Sequence, residues 1–499
     1  MQWIHNPNGS MVLRVCGTKI GRWMPYDRLH IPETAGLPEL TKPLNAMAKV
    51  ARKIKTSKGL RLKIVNPDAA GIDVADGEMQ VCVPEDRDGE NNRRFDSFTC
   101  DLREICAWLK ACRITTVAME ATGVYWLNIF LMLQEEGFDV VLANPLQVKN
   151  LMDEKTDEAD AEWLMLLHSY GMVKPCFQPD NVARRIRNLT RHRSNLIATA
   201  GREVQHMQKA MEQMNVKLST VISDILGKSG QAIIRAIVAG DHDPKSLAQL
   251  ADGRCRKPKE VIAKSLEGTW DEDLLFILTQ SVELYDTCQE KVAACEQEIE
   301  KLMMQYAAQV DMDGAGELVR TNKRSNYKNA PDIDTEKYAH ALWGVNLMAV
   351  PGVAAGSLLQ LVGELGHDFA SKFDTCNKFC KWCNLSPNNK ITGGKLISSR
   401  IPRRKNPVGQ ILRQCANTVK DEKGELGTYF RRMKSRNGHM QAIVATAHKI
   451  ARIIYTMVKY KREYDPRMVG CDERELLERR IARTQRQLQK LNERLAKAG

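Results

Sequence analysis

Between residues 63 and 150 the apolar positions change period repeatedly, and each change predicts an element. Ala69–Ala75, Met79–Val83 and Arg94–Phe98 read as three short strands, separated by turn residues at Asp76-Gly77 and across Glu85–Asn92. Leu102–Leu109 then takes a helical period, followed by strand Thr115–Glu120, helix Val124–Glu136 and strand Asp139–Ala143. Three hairpin-linked strands followed by β-α-β units predict a mixed sheet with helices on its faces. From about Arg184 to Met304 the pattern is helical throughout, with a stripe at Ile186, Leu189, Leu196, Val204, Met207, Met211 and Met214. Leu284, Val292, Cys295, Ile299 and Leu302 predict a long helix or an antiparallel coiled coil.

The pattern divides the chain into five parts. Residues 1–62 read as a poorly ordered extension with one short basic helix around Leu44–Lys55. Residues 63–175 form the sheet domain. Residues 176–332 form a helical or coiled-coil region closing in a polar linker that ends at Asn329-Ala330-Pro331-Asp332. Residues 333–465 form a mainly helical C-terminal domain. In 466–499, Leu477, Ile481, Thr484, Leu488, Leu491 and Leu495 are spaced as a heptad seam, predicting a short coiled coil.

Charge narrows the partners. The 499 residues carry 74 Lys and Arg against 61 Asp and Glu, a net charge of +13, which favours a polyanion such as nucleic acid. No apolar run reaches the roughly 18 residues of a membrane span, and the N-terminus does not open a signal peptide. A cytoplasmic protein with no membrane partner is expected. The 14 cysteines lack a secreted spacing, so reduced thiols are the default. Cys376, Cys380 and Cys383 stand at i, i+4, i+7 with no fourth ligand nearby, which favours buried thiols over a zinc site.

Against this background four acids stand out. Asp73 interrupts the apolar run Gly71-Ile72-Asp73-Val74-Ala75, and Glu120 ends a strand before Ala121-Thr122-Gly123. Asp157 and Asp160 lie three apart, on one face of a helix. An acid in a buried strand is costly unless paired or bound to metal. Bound Mg²⁺ or Mn²⁺ explains all four, and two such ions are the usual apparatus for attack on a phosphodiester. A helix-capping role accounts for Asp157 and Asp160 but not for Asp73 and Glu120.

The second signal is Lys390-Ile391-Thr392-Gly393-Gly394-Lys395, followed by Ser398-Ser399-Arg400 and Arg403-Arg404. A hydroxyl before two glycines sits where backbone can approach a phosphate, and the flanking cations can hold a strand. A basic surface loop with glycine turns is the plainer alternative. Arg184, Arg185, Arg187, Arg191 and Arg193 form a basic helix face, readable as a nucleic-acid contact or as a solvated surface. Val350-Pro351-Gly352-Val353 fits either a phosphate-binding hairpin between helices or simple helix packing.

Together these segments resemble the insertion-sequence transposases that join a RuvC-like DEDD domain to a C-terminal serine-type transposase domain, the bridge-RNA-guided recombinases. The matching residues are Gly71–Asp73, Met119–Tyr125 and Lys155–Ala161 in the first domain, and Pro351–Val353 and Pro387–Lys395 in the second. The resemblance implies an α/β RNase H-like fold for the sheet domain, with Asp73, Glu120, Asp157 and Asp160 as Mg²⁺ (or Mn²⁺) ligands. It implies double-stranded DNA and a guide RNA as partners, with Lys155, Lys390, Lys395, Arg400, Arg403 and Arg404 as candidate contacts. The task of joining two duplexes implies a homo-oligomer, dimer or tetramer. The family's serine nucleophile aligns with Thr392, a departure, since a β-branch stiffens the side chain; Ser398 and Ser399 are the alternatives. The competing readings are a junction-resolving nuclease on the same sheet and a catalytically impaired nucleic-acid-binding relic.

Overall fold

The computed structural model describes residues 63–121, 123–143, 157–310, 316–321, 327–402 and 405–470, a few residues between 481 and 489, and the backbone of Gln2–His5 and Met11–Arg14. Those two N-terminal strands pair antiparallel, a pairing the sequence pattern did not foretell. The expected helix at 44–55 and most of the expected C-terminal heptad seam lie outside the described residues. No helix among the described residues is long and apolar enough to cross a membrane.

The chain divides into two units, Met1–Cys176 and Phe177–Gly499. The first is built on strands β1 (Ala69–Val74), β2 (Glu78–Cys82), β3 (Asn92–Asp96), β4 (Thr116–Glu120) and β5 (Asp139–Ala143). Their order in the sheet is β3-β2-β1-β4-β5. The first three are antiparallel neighbours, while β4 and β5 run parallel to β1. Helices α1 (Thr99–Ala111) and α2 (Trp126–Glu135) connect the later strands, because a parallel return needs a crossover. In α1, Leu102, Ile105, Cys106, Trp108 and Leu109 repeat at helical spacing and are buried. They join Ile72, Val74, Val117, Met119 and Leu142 in one core, so α1 and α2 cover one face of the sheet. Helix α3 (Asp157–Ser169) supplies Ala161 and Met165 to a separate cluster with Cys82.

In the second unit, α4 (Asn181–Gln213) and α5 (Glu272–Gln309) pack as a long antiparallel pair. Their direction follows from Leu189 lying against Cys295 and Arg193 against Glu296 near one end, with Met207 and Val282 in a shared cluster further along. Short helices between them build that distal cluster around Met214, Ile233 and Leu247. At the other end Ile186, Ile299 and Leu302 join a core with Trp343, Phe369 and Phe379. This core is completed by α6 (Thr335–Trp343), α7 (Ala355–Leu365) and α8 (Cys376–Trp382), and by α9 (Pro407–Thr418), α10 (Glu425–Asn437) and α11 (His439–Tyr460). Between α8 and α9 stands a hairpin of β6 (Asn388–Thr392) and β7 (Lys395–Arg400).

One expectation meets a different geometry, and one open alternative is narrowed. The polar stretch read as a linker is tied down near its end: Asn329 carbonyl accepts from Arg193, and the Asp332 amide donates to Glu296. The buried Arg193–Glu296 pair needs further polar partners, and this backbone supplies them. Gly352, with φ at +86°, turns into packing. A Cβ there would lie 2.4 Å from the Cys415 carbonyl, so the turn seats against α9.

Candidate active site

Strand parity sets the acids on one face. In β1, Ala70, Ile72 and Val74 point into the α1–α2 core, so Gly71 and Asp73 point to the opposite face. Gly71 pairs with Ala118 across to β4, which puts Ala118 and Glu120 on that same face. Ile72 pairs with Met119, and continuing the register one step sets Glu120 beside Asp73. Asp73 is half-buried and Glu120 is 8% exposed.

Two contacts fix how α3 crosses this face. At its C-terminal end, His168 Nε2 lies 2.7 Å from Thr116 Oγ1 at the start of β4. Nearer its beginning, Ala161 and Met165 press on Gly71; a Cβ at Gly71 would come 2.2 Å from the Ala161 carbonyl and 2.4 Å from the Met165 amide. Helix α3 therefore runs opposite to β1 and β4, and its first turn lies at their C-terminal ends. Asp73 is two residues beyond Gly71, about 6.6 Å along the strand. Asp157 is four residues before Ala161, about 6 Å back along the helix. The two advances match, so α3 begins at the end of the sheet where Asp73 and Glu120 stand, with half-buried Asp160 in its first turn. The backbone of Asp157 opens the same turn; its side chain lies outside the described residues, as does Lys155.

The donor type at this edge is carboxylate oxygen, the hard type that Mg²⁺ and Mn²⁺ take, but among the described residues Asp73, Glu120 and Asp160 do not bring three ligand atoms within 4.8 Å of one another. The far end of α3 instead buries uncharged polar groups, His168 and Ser169. Burial is the chief cause that lowers the His168 pKa, keeping a neutral ring against the Thr116 hydroxyl. The sequence reading quoted Gly71 but missed its task. A lone glycine within a strand pattern is the signal for close backbone approach.

Thr392 belongs to the second unit, at the tip of the β6–β7 hairpin. Gly393 and Gly394 have φ of +55° and +74°, a two-residue turn with both central residues left-handed. Thr392 pairs with Lys395 across it, and every residue of β6 is exposed. Lys390, Lys395, Arg400 and Ser399 are exposed as well, while Ser398 is half-buried. Arg403 and Arg404 lie outside the described residues.

The basic face of α4 divides. Arg185 is exposed. Arg184 is half-buried and bonds Asn181. Burial lowers the pKa of Arg187, whose backbone packs on Gly363 of α7. Arg191 makes a bidentate bond to Glu364, at 2.8 and 3.0 Å. Arg193 corrects the expectation of a nucleic-acid contact. It is 6% exposed and engaged at both ends, by Glu296 at 2.6 Å and the Asn329 carbonyl at 2.9 Å. Its guanidinium serves the core because the helical stripe turns that position toward α5.

One further group was not foreseen. Asp180, His367 and Asp368 offer ligand atoms within 4.8 Å of one another. Asp180 already caps α4 through the Ala183 amide at 2.9 Å and accepts from the Tyr306 hydroxyl. A cation there would displace these bonds, so the group reads as a capping network. Cys380 and Cys383 are fully buried and Cys376 is half-buried. Burial pushes the Cys383 thiol well up, away from the thiolate that zinc takes.

Comparison with known families adds to this geometry. Residues 70–216 match the DEDD model of IS110-type elements, described as a transposase. Residues 345–431 match a second model, described as the transposase IS116/IS110/IS902 family. In order along the chain, these two segments are similar to the two domains of insertion-sequence transposases, which supports a DNA transposase or recombinase. No curated protein matches it with significance.

Proposed function

We propose that this transposase cuts and rejoins double-stranded DNA at an element end and a target, using the carboxylates at 73, 120, 157 and 160 together with the hydroxyl of Thr392. The observation that carries the reading is the convergence of the first turn of α3 on the strand ends of Asp73 and Glu120, in a chain with both transposase domains. The strand order, with three antiparallel strands beside two parallel ones, is compatible with an RNase H-like sheet.

In this reading the carboxylates orient the scissile phosphate. A bound Mg²⁺ or Mn²⁺ ion would supply positive charge for the developing oxyanion and the leaving oxygen. Thr392 forms a bond to phosphorus while the sugar oxygen leaves with a proton, giving a covalent protein–DNA link. An incoming DNA hydroxyl then reverses the step. Exposed Arg185, Lys390, Lys395 and Arg400 hold backbone phosphates, with Lys155, Arg403 and Arg404 in the same role. Guidance by a structured RNA, assembly into a dimer or tetramer and action on DNA in the cytoplasm complete the reading through the family resemblance.

The test is strand exchange on plasmids carrying the sequences that flank the gene. Asp73→Asn should abolish exchange and leave DNA binding nearly intact; retained exchange would remove the acid site from the reaction. The parent should also form a covalent protein–DNA species that Thr392→Ala lacks. Full cleavage by Thr392→Ala with no such adduct in the parent would favour a junction-resolving nuclease. Cleavage gained only in Thr392→Ser would mark a relic.

A further inference from the structure

The β6–β7 hairpin has two chemically different faces, and only one is used by the function proposed above. Cross-strand partners share a face, and successive pairs alternate. Lys390 pairs with Ser398, and Thr392 with Lys395, so these residues share a polar, cationic face with Asn388 and Arg400. Ile391 pairs with Leu396 on the other side, where Asn389 and Ser399 also stand further from the turn. The register shift between Lys390 and Ile391 makes this possible, because it inserts Ile397 as an extra residue in β7. Without it, Leu396 and Ser398 would point the same way. The result is an apolar face that the rest of the unit does not cover: Ile391, Leu396 and Ile397 are 62%, 58% and 67% exposed.

The surrounding charge selects the occupant. From Thr375 to Lys420 the chain has no Asp or Glu and ten Lys and Arg, although acids are nearly as common as bases overall. A protein partner for three apolar side chains has no need of such a field, whereas a polyanion does. A two-stranded ribbon fits the major groove of B-form DNA, and apolar side chains there contact thymine methyl groups. The narrow major groove of A-form RNA does not admit it.

We propose that the β6–β7 ribbon seats in a groove of B-form DNA, with Ile391 and Leu396 against base edges and the Thr392 face toward the backbone phosphates. This rests on the reading of the chain as a DNA transposase and extends it. The ribbon is then a ruler as well as a nucleophile carrier, since the depth of the apolar face sets which phosphate meets Thr392.

The experiment uses the full chain with p-benzoylphenylalanine placed at Leu396, irradiated with a mixed-sequence DNA duplex, and separately with an RNA duplex of the same sequence. Crosslinking to DNA well above RNA is expected. In binding titrations, Ile391→Ser with Leu396→Ser should weaken DNA affinity about tenfold at unchanged salt slope. Lys390→Ala with Lys395→Ala should lower that slope by about two. Crosslinking to protein, equal crosslinking to both duplexes, or unchanged affinity in the apolar double variant would each overturn the proposal. A parent chain that fails to bind duplex DNA at all would overturn the transposase reading with it. Strand exchange lost in Asp73→Asn without a crosslink at 396 would overturn the ribbon alone.

Discussion

The acid-bearing sheet edge and the hydroxyl-bearing hairpin place their side chains in opposite ways. At the sheet edge the side chains are positioned by buried neighbours: Ile72 and Met119 lock the strands from below, and α3 presses on Gly71 from above. At the hairpin, a two-residue turn and one bulge hold a ribbon whose residues are nearly all exposed. One region is organised by its own core, and the other is held by its turn and its ladder alone.

The comparison can be broken first at the acids. Asp73→Asn or Glu120→Gln should slow strand exchange by about a thousandfold or more, since charge stabilisation by a bound ion is worth several kcal/mol and 1.36 kcal/mol is tenfold. Next comes a control that separates the scaffold of the second unit from its ribbon. Glu296→Ala strands Arg193 in the core and should destabilise by about 4 kcal/mol in denaturant titration, with no change in DNA salt slope. A salt-slope change instead would return Arg193 to the nucleic-acid surface. Gly71→Ala then tests positioning. Its methyl group would force α3 outward, and a shift of about 1 Å should reduce strand exchange about a hundredfold with every carboxylate still present.

Acid provides a smaller effect. Burial alone would raise the Asp180 carboxyl, but bonds from His367, the Ala183 amide and Tyr306 hold it down to about 2, below its ordinary 3.8. A depressed pKa stabilises fully above about pH 4 and loses that contribution as pH falls toward 2. Roughly 2 kcal/mol should disappear over that window, and Asp180→Asn should flatten the profile. The smallest effect belongs to the ribbon. Gly394→Ala opposes a φ of +74° and should cost about 1 kcal/mol locally, slowing exchange while global unfolding stays put. A fall in global stability would show the hairpin to be part of the core.

Much of the first unit was legible because its strands announce themselves by period and its turn residues are unambiguous. Asp139–Ala143 came out as expected, and the others shifted by one or two residues at their ends. The placing of Asp73 beside Glu120 needed the parallel register, which no local pattern carries. Arg193 was misread because charge looks alike on either side of a long helix until its partner is known, and Glu296 lies 103 residues away. The turn after Thr392 was legible in its glycines, yet the ribbon's two faces were not, because the register shift that separates them reverses the ordinary alternation. Asp180 escaped for a related reason: its companions Tyr306 and His367 come from distant helix ends.

The contact at Gly71 also explains why that residue precedes Ile72 and Asp73. The three consecutive positions do three unlike things: clearance for a crossing helix, an anchor beneath the sheet, and a carboxylate at its rim. Drift at the first would disable the third without altering a single charge. On the proposed function, a search for working copies of this chain should score the missing side chain at 71 as strictly as the acid at 73.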